Sequence, residues 1–435
     1  MFRCALALAL LAGLLPGETL YRQSGFSPGT EGWTVWSARP ETRPNAFVDQ
    51  RVNRGDAGSL AIGGASNAAE HGGWERTVAG ITPGGWYRFT AHYQTDSVAA
   101  ENWQVVARLD WRTAAGRRTG QPEYVAHARR DGTWTRLTTQ VAAPKEAAGV
   151  VIQLYLSNAP TGTVWWDDLT LEKIADPGAR TVRVSTVNLY PRGTSGSAES
   201  VTQFLDTIEK SVPAGVDVIL LPEGITVVGT TKTYAEIAET VPGPTTLRLA
   251  EVARKRKAYV VAGIYEREGT TLYNTAVMLD RNGSLAGKYR KVYLPREEVE
   301  KGLTPGNSYP VFATDFGKVG LMICYDVFFS DPARALATQG AEMILMPIWG
   351  GDEALAKARA IENQVFLIAS GYNHPTYIMD PAGERLSEAR ERGTAATATI
   401  DLNRSYADQW LGDMHTRRWR EQRNDVPVPV PGLER

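Results

Sequence analysis

The pattern of apolar residues changes near residue 175, and this change constrains the fold more than any other feature of the sequence. Before it, short runs alternate apolar with polar side chains, as in residues 87–93, 105–111 and 152–156. A period of two is typical of strands with one buried face. After it, fully apolar runs alternate with amphipathic ones, which is typical of a sheet covered by helices. With 435 residues the chain exceeds one ordinary core, so the sequence predicts two domains.

These patterns of apolar residues also predict the domain boundaries. We expect an all-β sandwich over residues 19–175, because clusters of Gly, Pro, Asn and Asp separate its short strands. Residues 176–180, which contain a Pro-Gly pair, are predicted to be a linker. An α/β domain is predicted over residues 181–403, followed by a C-terminal tail over residues 404–435.

The N-terminus predicts an export signal. Arg3 is followed by a run of about a dozen apolar residues, which fits a secretory signal peptide over residues 1–18. The run is too short for a membrane span, which needs about 20 residues, and no second run of that length follows. We therefore expect a secreted or periplasmic protein without a membrane span.

Charge and residue counts argue against several functional classes. The formal net charge is -1 with both signs interspersed, so the sequence carries no electrostatic signature of a nucleic-acid partner. Five histidines without a pairing signature and two cysteines argue against a structural zinc site. Phosphate-loop, dinucleotide and Gly-x-Ser-x-Gly fingerprints are absent from the sequence. We expect neither a metal nor a cofactor.

Three polar residues lie near predicted strand ends in the second half of the chain. Glu223 comes directly after residues 217–221, and Cys324 ends the apolar run that starts at Val319. Lys291 alternates with Val292 and Leu294 near a predicted strand end. Each has an ordinary alternative: Glu223 as a loop or capping residue, Lys291 as a solvated base, and Cys324 as a small apolar core residue. If Lys291 points inward, it needs an anionic partner, and Glu223 or the thiolate would serve.

The setting of Cys324 favours reactivity. Cys4 lies in the predicted signal peptide, so Cys324 has no disulfide partner in the mature chain. A strand-to-turn position exposes the sulfur and leaves the following backbone N–H groups free to face a developing oxyanion. A thiol still needs a base or a nearby cation to become a useful nucleophile.

Three segments, Leu221-Pro222-Glu223, residues 289–294 and residues 320–326, together resemble the nitrilase superfamily of carbon–nitrogen hydrolases. They occur in that family's order and at comparable spacings, over roughly residues 180–403. The resemblance implies an α-β-β-α sandwich without a cofactor. It also implies that Glu223 is the general base, Lys291 an oxyanion stabiliser and Cys324 the nucleophile.

The resemblance further implies a second glutamate between the lysine and the cysteine. Glu297, Glu298 and Glu300 compete for this position, and we select Glu298. The backbone N–H of Tyr325 is the implied second oxyanion donor. Trp349 follows the family's next strand and is assigned to the pocket wall, although core packing would explain it equally well.

The implied reaction is hydrolysis of a non-peptide C–N bond, in an amide or carbamoyl-amide, through a cysteine thioester. Nitrile hydrolysis and N-acyl transfer use the same groups and remain alternatives. Residues 328–332, Phe-Phe-Ser-Asp-Pro, depart from the Arg-Phe-Pro-Glu-like stretch that is frequent in relatives, which weakens any transfer of substrate specificity. Relatives commonly dimerise through this domain, and the sequence leaves open whether this chain forms a homo-oligomer or whether its first domain blocks one.

The first half of the chain resembles the jelly-roll modules, often carbohydrate-binding, that are attached to secreted hydrolases. Residues 149–173 are similar to the final strands of such modules, and nine of the twelve tryptophans lie in this half. Aromatic side chains can stack on sugar rings or pack in the core. The sequence therefore leaves open a glycan or cell-surface contact, a structural role, and a glycan-binding protein with a silent hydrolase domain.

Overall fold

The computed structural model describes residues 17–27, 30–55, 57–372 and 376–427. The chain divides into two compact units, one made of the residues up to Pro177 together with those from Ala407 on, the other of Gly178–Tyr406. The predicted signal peptide lies outside the described residues, apart from Gly17 and Glu18. Within the described ranges, no helix has the length and apolar character needed to cross a membrane.

The first unit is β-rich and contains two antiparallel sheets. Its elements are β1 (Glu18–Gln23), β2 (Trp33–Ser37), β3 (Asn45–Asp49), β4 (Ser59–Gly63), β5 (His71–Ala79), β6 (Trp86–Asp96), α1 (Glu101–Gln104), β7 (Val105–Arg112), β8 (Glu123–Tyr124), β9 (His127–Asp131), β10 (Trp134–Ala142), β11 (Gly149–Ser157) and β12 (Thr163–Ile174). One sheet has the order β3-β4-β12-β6-β10-β9, with β1 paired to β12, and the other has the order β2-β5-β11-β7-β8.

Alternation along the strands builds the core of this unit. In β11, Val150, Ile152 and Leu154 are fully buried in the core between the sheets, while Gln153 and Tyr155 point to the opposite face. Both faces of β11 are buried, so its alternation separates an apolar core face from a buried face that carries a polar residue. The region is β-rich as predicted. A jelly-roll topology stays a prediction.

The second unit is a mixed α/β unit, as predicted. Its strands are β13 (Thr181–Asn188), β14 (Val218–Leu220), β15 (Tyr259–Glu268), β16 (Thr271–Leu279), β17 (Leu285–Arg290), β18 (Val311–Ala313), β19 (Lys318–Leu321), β20 (Met343–Pro347), β21 (Phe366–Ser370), β22 (Tyr377–Met379), β23 (Arg385–Glu388) and β24 (Thr394–Asp401). Its helices are α2 (Ser197–Ser211), α3 (Tyr234–Ile237), α4 (Pro244–Arg256), α5 (Arg296–Glu300), α6 (Asp331–Thr338) and α7 (Glu353–Asn363). The sheet orders are β17-β16-β15-β14-β13-β24 and β18-β19-β20-β21-β22-β23.

The burial of β14 shows how these elements form layers. Val218 and Leu220 lie in a core with residues of the second sheet, such as Leu345. Ile219 points the other way and packs with Phe204 of α2. Helices α6 and α7 cover the outer face of the second sheet in the same manner. Strands buried on both faces lose the alternation of the first unit, which is why they are apolar throughout.

The strand that leads to Cys324 is shorter than predicted. It ends at Leu321, whereas the apolar run predicted a strand through Cys324. The N–H of Ile323 donates to Oδ2 of Asp326 at 2.9 Å, and a short 3-10 helix, Cys324–Phe328, begins at the cysteine. A side-chain acceptor thus takes the place of the next strand hydrogen bond and turns the chain.

The predicted C-terminal tail packs as part of the first unit from Ala407 on. Its helix α8 (Met414–Glu421) inserts Arg420, which is 6% exposed and donates to the carbonyl of Val125 at 3.3 Å. Asn102 of α1 donates to the carbonyl of Gln422 at 2.7 Å. The β-rich unit is therefore assembled from both ends of the chain.

Candidate active site

Three charged side chains from three separate segments meet inside the second unit. Nζ of Lys291 lies 3.0 Å from Oε1 of Glu223 and 3.0 and 3.1 Å from the two carboxylate oxygens of Glu298. The side chains of Lys291 and Glu223 are each 2% exposed. One buried cation is therefore shared by two buried carboxylates. A buried ion cluster offsets the cost of removing its charges from water only when opposite charges lie close together and further hydrogen bonds satisfy the remaining polar atoms.

Glu223 is held by backbone pairing that continues past the end of β14. The N–H of Leu221 donates to the carbonyl of Val261 at 2.8 Å, and the N–H of Gly263 donates to the carbonyl of Pro222 at 3.0 Å. A side chain at Gly263 would bring its β-carbon to 2.6 Å from Cα of Glu223. Glycine is therefore required at residue 263 for the glutamate to occupy its place.

The two oxygens of Glu223 have different surroundings. Oε1 accepts hydrogen bonds from Nδ2 of Asn274, at 2.7 Å, and from Lys291. Oε2 is buried and has no hydrogen-bond partner among the described residues. One oxygen is thus fixed by two donors, and the other is available to accept a proton.

Cys324 lies at the start of the short 3-10 helix with a φ of 42°, an uncommon value for a residue other than glycine. Its half-buried thiol approaches the carbonyl oxygen of Gly350, with Sγ and O 3.4 Å apart. Burial and the negative charge of Glu223 raise the pKa of Cys324 to about 12, against the opposing effect of Lys291. The resting thiol is therefore protonated, and attack by sulfur requires a base.

The charges around Lys291 keep it protonated. Burial alone disfavours the ammonium form, but the negative charges of Glu223 and Glu298, with the hydrogen bond to Glu223, outweigh burial and raise the pKa of Lys291. Burial, together with the charge of Glu223, also raises the pKa of Glu298, while Lys291 opposes that shift. A permanent ammonium next to a thiol can stabilise negative charge that develops there.

Burial distinguishes the three candidates for the second glutamate. Glu298, on the single turn of α5, is 8% exposed and contacts both Lys291 and Asn274. Glu297 and Glu300 are exposed. Only Glu298 can therefore act within the buried cluster.

Tyr325 directly follows Cys324 in the 3-10 helix, and the backbone of Trp349 contacts the thiol. The N–H of Tyr325 belongs to the first turn of the 3-10 helix, where amide groups have no intrahelical acceptor. Backbone groups of Trp349 and Gly350 contact the sulfur and favour its anionic form. The ring of Trp349 is 40% exposed and packs edge-on against Tyr372 at 5.1 Å. This exposure favours the pocket wall over the core as the place of Trp349.

Asp326 fixes the segment that carries Cys324. Its carboxylate is fully buried and accepts hydrogen bonds from the N–H of Ile323 at 2.9 Å, the N–H of Tyr293 at 3.0 Å and the hydroxyl of Tyr289 at 2.8 Å. Two of these donors flank Lys291 in sequence. The aspartate therefore joins the turn that carries Cys324 to the segment that carries Lys291.

Asn274 is a site residue that the sequence analysis missed. Its Nδ2 donates to Oε1 of Glu223 and, at 3.1 Å, to Oε1 of Glu298, while its backbone carbonyl accepts the N–H of Lys291 at 2.8 Å. The available signal was a polar residue inside the apolar run of β16, since a buried amide must find partners. Asn274 thus positions three members of the cluster at once.

We expect Asn274→Asp to move the acid limb of the kcat/KM profile to higher pH. A third carboxylate beside Glu223 and Glu298 favours protonation of the cluster, and a general base must be ionised. Asn274→Leu removes the donor without adding charge and should lower kcat about 10- to 100-fold, the effect of roughly 1–3 kcal/mol for an unpaired buried acceptor. The pH dependence of kcat/KM for both variants checks this expectation. If the acid limb of the kcat/KM profile does not move in Asn274→Asp, then Asn274 has only a structural role.

Comparisons with known proteins show what the second unit is similar to. The sequence pattern of the carbon-nitrogen hydrolase family matches residues 183–410. Omega-amidase NIT2 of Bos taurus is 30% identical over 251 residues, which cover 52% of this chain and 90% of that protein. Omega-amidase NIT2 of Xenopus tropicalis is 31% identical over 235 residues, which cover 47% of this chain and 84% of that protein. The crystal structure of an amidase from Nesterenkonia sp. aligns with a TM-score of 0.45 and 24% identity, over 52% of this chain and 92% of that one.

The second unit is thus a hydrolase of carbon–nitrogen bonds other than peptide bonds. The chain belongs to the carbon-nitrogen hydrolase family, as the three sequence segments predicted. The matched residues lie almost wholly within the second unit and include Glu223, Lys291, Glu298 and Cys324.

Proposed function

We propose that this protein is an exported amidase that cleaves the C–N bond of a small amide through a thioester on Cys324. The observation that carries the proposal is the asymmetry of Glu223. One carboxylate oxygen is fixed by Lys291 and Asn274, and the other is buried without a partner. The charge of that carboxylate already acts on the thiol of Cys324. A base with one free oxygen beside a protonated thiol suits proton transfer at the moment of attack.

In the first half-reaction, Oε2 of Glu223 accepts the thiol proton while the sulfur of Cys324 attacks the amide carbonyl carbon. The carbonyl oxygen becomes an oxyanion, which Nζ of Lys291 and the N–H of Tyr325 stabilise. The C–N bond then breaks. The departing nitrogen takes the proton from Glu223 and leaves as ammonia or an amine, so a thioester remains on Cys324.

Water completes the second half-reaction. Glu223, again ionised, takes a proton from a water molecule whose oxygen attacks the thioester carbon. The C–S bond breaks, the carboxylic acid leaves, and the sulfur recovers its proton from Glu223. Glu298 binds Lys291 throughout and keeps the ammonium directed at the reacting centre.

Amides are the first candidate substrates, because the similar proteins in Xenopus tropicalis and Bos taurus carry the name omega-amidase. Nitriles, and amines that would intercept the thioester in place of water, engage the same groups and belong in the same test. The experiment is ammonia release by the purified full chain over aliphatic amides, ω-amides, N-carbamoyl amino acids and nitriles.

The matched pair Glu223→Gln and Glu297→Gln makes this test specific. The same chemical change removes the base in one variant and an exposed carboxylate in the other. Glu223→Gln should lose at least about 10²-fold in rate, whereas Glu297→Gln should behave as wild type. If folded wild-type protein releases no ammonia from any substrate in the panel, the result would contradict an amidase and favour acyl transfer.

A second proposal concerns the first unit, which we infer binds a glycan on the outer face of its five-stranded sheet. Trp36 is 37% exposed and stacks on Tyr155 at 5.2 Å, and His71 meets both rings edge-on. Next to them, Oε1 of buried Gln153 has no hydrogen-bond partner among the described residues. An aromatic face beside unsatisfied polar groups suits a sugar ring, which offers both apolar faces and hydroxyls.

Affinity electrophoresis of the full chain in soluble polysaccharides, followed by a glycan array, tests this second proposal. Trp36→Ala should abolish retardation, whereas Trp410→Ala, which removes a tryptophan 81% exposed in the same unit, should not. Equal mobility of wild type and Trp36→Ala in every polysaccharide would contradict it. Export itself rests on the predicted signal peptide, and N-terminal sequencing of protein recovered outside the cytoplasm tests it.

A further inference from the structure

A row of polar side chains crosses the outer face of the five-stranded sheet in the first unit. Gln153 of β11 lies directly opposite Glu75 of β5 on one side and opposite Arg108 of β7 on the other. Arg108 in turn lies opposite Tyr124 of β8. Directly paired residues of antiparallel strands project from the same face of a sheet, and Tyr155, two residues after Gln153, shares that face. The row therefore borders the aromatic group that we propose for sugar stacking.

Arg108 is the cation of this row, and it is half-buried. Its guanidinium carbon lies 5.7 Å from the ring centre of Tyr124 and 5.8 Å from that of Tyr155. Its Nε is buried and has no hydrogen-bond partner among the described residues. Two rings thus hold a guanidinium whose Nε–H group is not used within the described part of the protein.

Glu75, the acid of the row, is engaged by other donors. Its Oε1 accepts hydrogen bonds from Nε2 of Gln153, at 2.9 Å, and from the hydroxyl of Tyr155. No ion pair joins Glu75 to Arg108, both of which the structure describes. The charge of the arginine is therefore not cancelled by direct pairing within the row.

Asp110 is engaged in the same way by other arginines. It lies two residues after Arg108 along β7 and is fully buried. Its Oδ2 lies 2.6 Å from Nη2 of Arg112 and 2.9 Å from Nη2 of Arg118. This aspartate has two cations of its own, so Arg108 remains available to an anion from outside.

The charge of Arg108 acts on the aromatic group itself. Burial and the positive charge of Arg108 lower the pKa of His71. His71 meets Trp36 edge-on with ring centres 5.8 Å apart, and Trp36 stacks on Tyr155, the ring that borders Arg108. A sugar ring seated on Trp36 would therefore meet a positive charge at the edge of the same aromatic surface.

We propose that the glycan bound on this face is acidic, and that Arg108 binds a carboxylate of its sugars while Trp36 stacks on a sugar ring. The inference rests on the proposed glycan-binding face and adds the class of its ligand. A guanidinium presents N–H donors in a planar fork that matches a carboxylate. Oε1 of Gln153, buried opposite Arg108 without a partner among the described residues, is an acceptor for a neighbouring sugar hydroxyl.

Isothermal titration calorimetry of the full chain with matched oligosaccharides tests this inference. Tetrasaccharides of galacturonic acid, mannuronic acid and hyaluronan are each compared with their carboxyl-reduced form, in which every carboxylate has become a primary alcohol. Wild type should bind at least one acidic tetrasaccharide about tenfold more tightly than its reduced form, the effect of one charge-assisted hydrogen bond. Higher salt should reduce this preference, because salt screens the charges.

Four variants separate charge, stacking and folding. Arg108→Gln should remove the preference and leave the affinity for the reduced forms unchanged, whereas Trp36→Ala should weaken the binding of both forms. Arg108→Lys keeps the charge without the fork, so it should retain part of the preference even if Arg108→Gln folds poorly. Arg136→Gln is the matched control, because it removes an exposed arginine from the other sheet of the same unit. Thermal unfolding of each variant reports its folded state.

Each outcome bears on a definite claim. Weaker binding in Trp36→Ala, with the preference for the acidic form unchanged in Arg108→Gln, overturns this inference and leaves the glycan-binding face in place. Equal affinity of wild type for the acidic and reduced forms does the same. Equal losses in Arg108→Gln and Arg136→Gln indicate a general attraction of polyanions and also overturn it. Absence of binding to every oligosaccharide, or binding that Trp36→Ala does not weaken, overturns the glycan-binding face and this inference with it.

Discussion

Replacing Cys324 with alanine is expected to abolish turnover while the protein remains folded. The variant loses the sulfur on which the proposed thioester forms, and groups that act as one unit lose nearly all of their effect together, about 10⁴–10⁶-fold in kcat. The cost to stability is small, since the hydrogen bond from the thiol to the carbonyl of Gly350 contributes about 1 kcal/mol. Ammonia release and thermal unfolding of the same preparation measure both effects.

Cys324→Ser is the matched control for this first prediction. It restores an atom of similar size with a proton that Glu223 could accept, so it separates the loss of the nucleophile from the loss of packing. Serine should recover stability but little activity, because the hydroxyl is far less nucleophilic than a thiol. Activity of Cys324→Ala within about tenfold of wild type would contradict the role of Cys324.

The second large effect is expected for Lys291→Met, which should lose both activity and stability. Methionine fills a similar volume but leaves Glu223 and Glu298 as buried carboxylates without their cation. Breaking a buried pair in this way typically costs about 3–5 kcal/mol in the free energy of unfolding. Loss of the oxyanion donor should lower kcat about 10²–10³-fold in addition. Urea unfolding and ammonia release measure the two losses.

The stability deficit of Lys291→Met should depend on pH in a definite direction. Burial and the charge of Glu223 already raise the pKa of Glu298, and Lys291 opposes that shift. Without the lysine the folded-state pKa rises further above the unfolded one, so the folded state gains from protonation at low pH and loses that stability as pH rises through the folded pKa. The deficit in the free energy of unfolding should therefore be larger at about pH 8 than at about pH 5.

The double variant Lys291→Met/Glu298→Gln tests the physical reason for that deficit. It removes one of the two uncompensated charges and should recover much of the stability without recovering activity. A Lys291→Met protein as stable as wild type at both pH values would contradict the buried ion cluster. A double variant with restored turnover would contradict the role of Lys291 as an oxyanion donor.

The parts of the fold and site that follow from local patterns could be predicted from the sequence. Burial on one face or on two faces imposes the periodicities that separated the β-rich unit from the α/β unit. Glu223 and Cys324 were recognisable because each follows an apolar run, and Lys291 because it alternates with Val292 and Leu294. Their convergence was an expectation from family resemblance, and the structure brings Lys291 within 3.0 Å of Glu223.

Other features depend on contacts between residues distant in sequence. The choice of Glu298 over Glu297 and Glu300 is made by the single turn of α5, whose orientation no periodicity encodes. Asn274 is recognisable as a site residue only once β16 is placed beside both carboxylates. The insertion of Arg420 into the first unit joins segments nearly three hundred positions apart, for which a polar helix gives no signal.

Intact-protein mass spectrometry of wild type, quenched in acid during turnover of an amide, tests the central claim most directly. We expect a fraction of the protein to gain the mass of the acyl group, on the peptide that contains Cys324, and hydroxylamine to remove it as the hydroxamate. Cys324→Ala should show no adduct. Ammonia release at full rate with unmodified protein at every quench time, or an adduct that persists in Cys324→Ala, would contradict a thioester mechanism at this site.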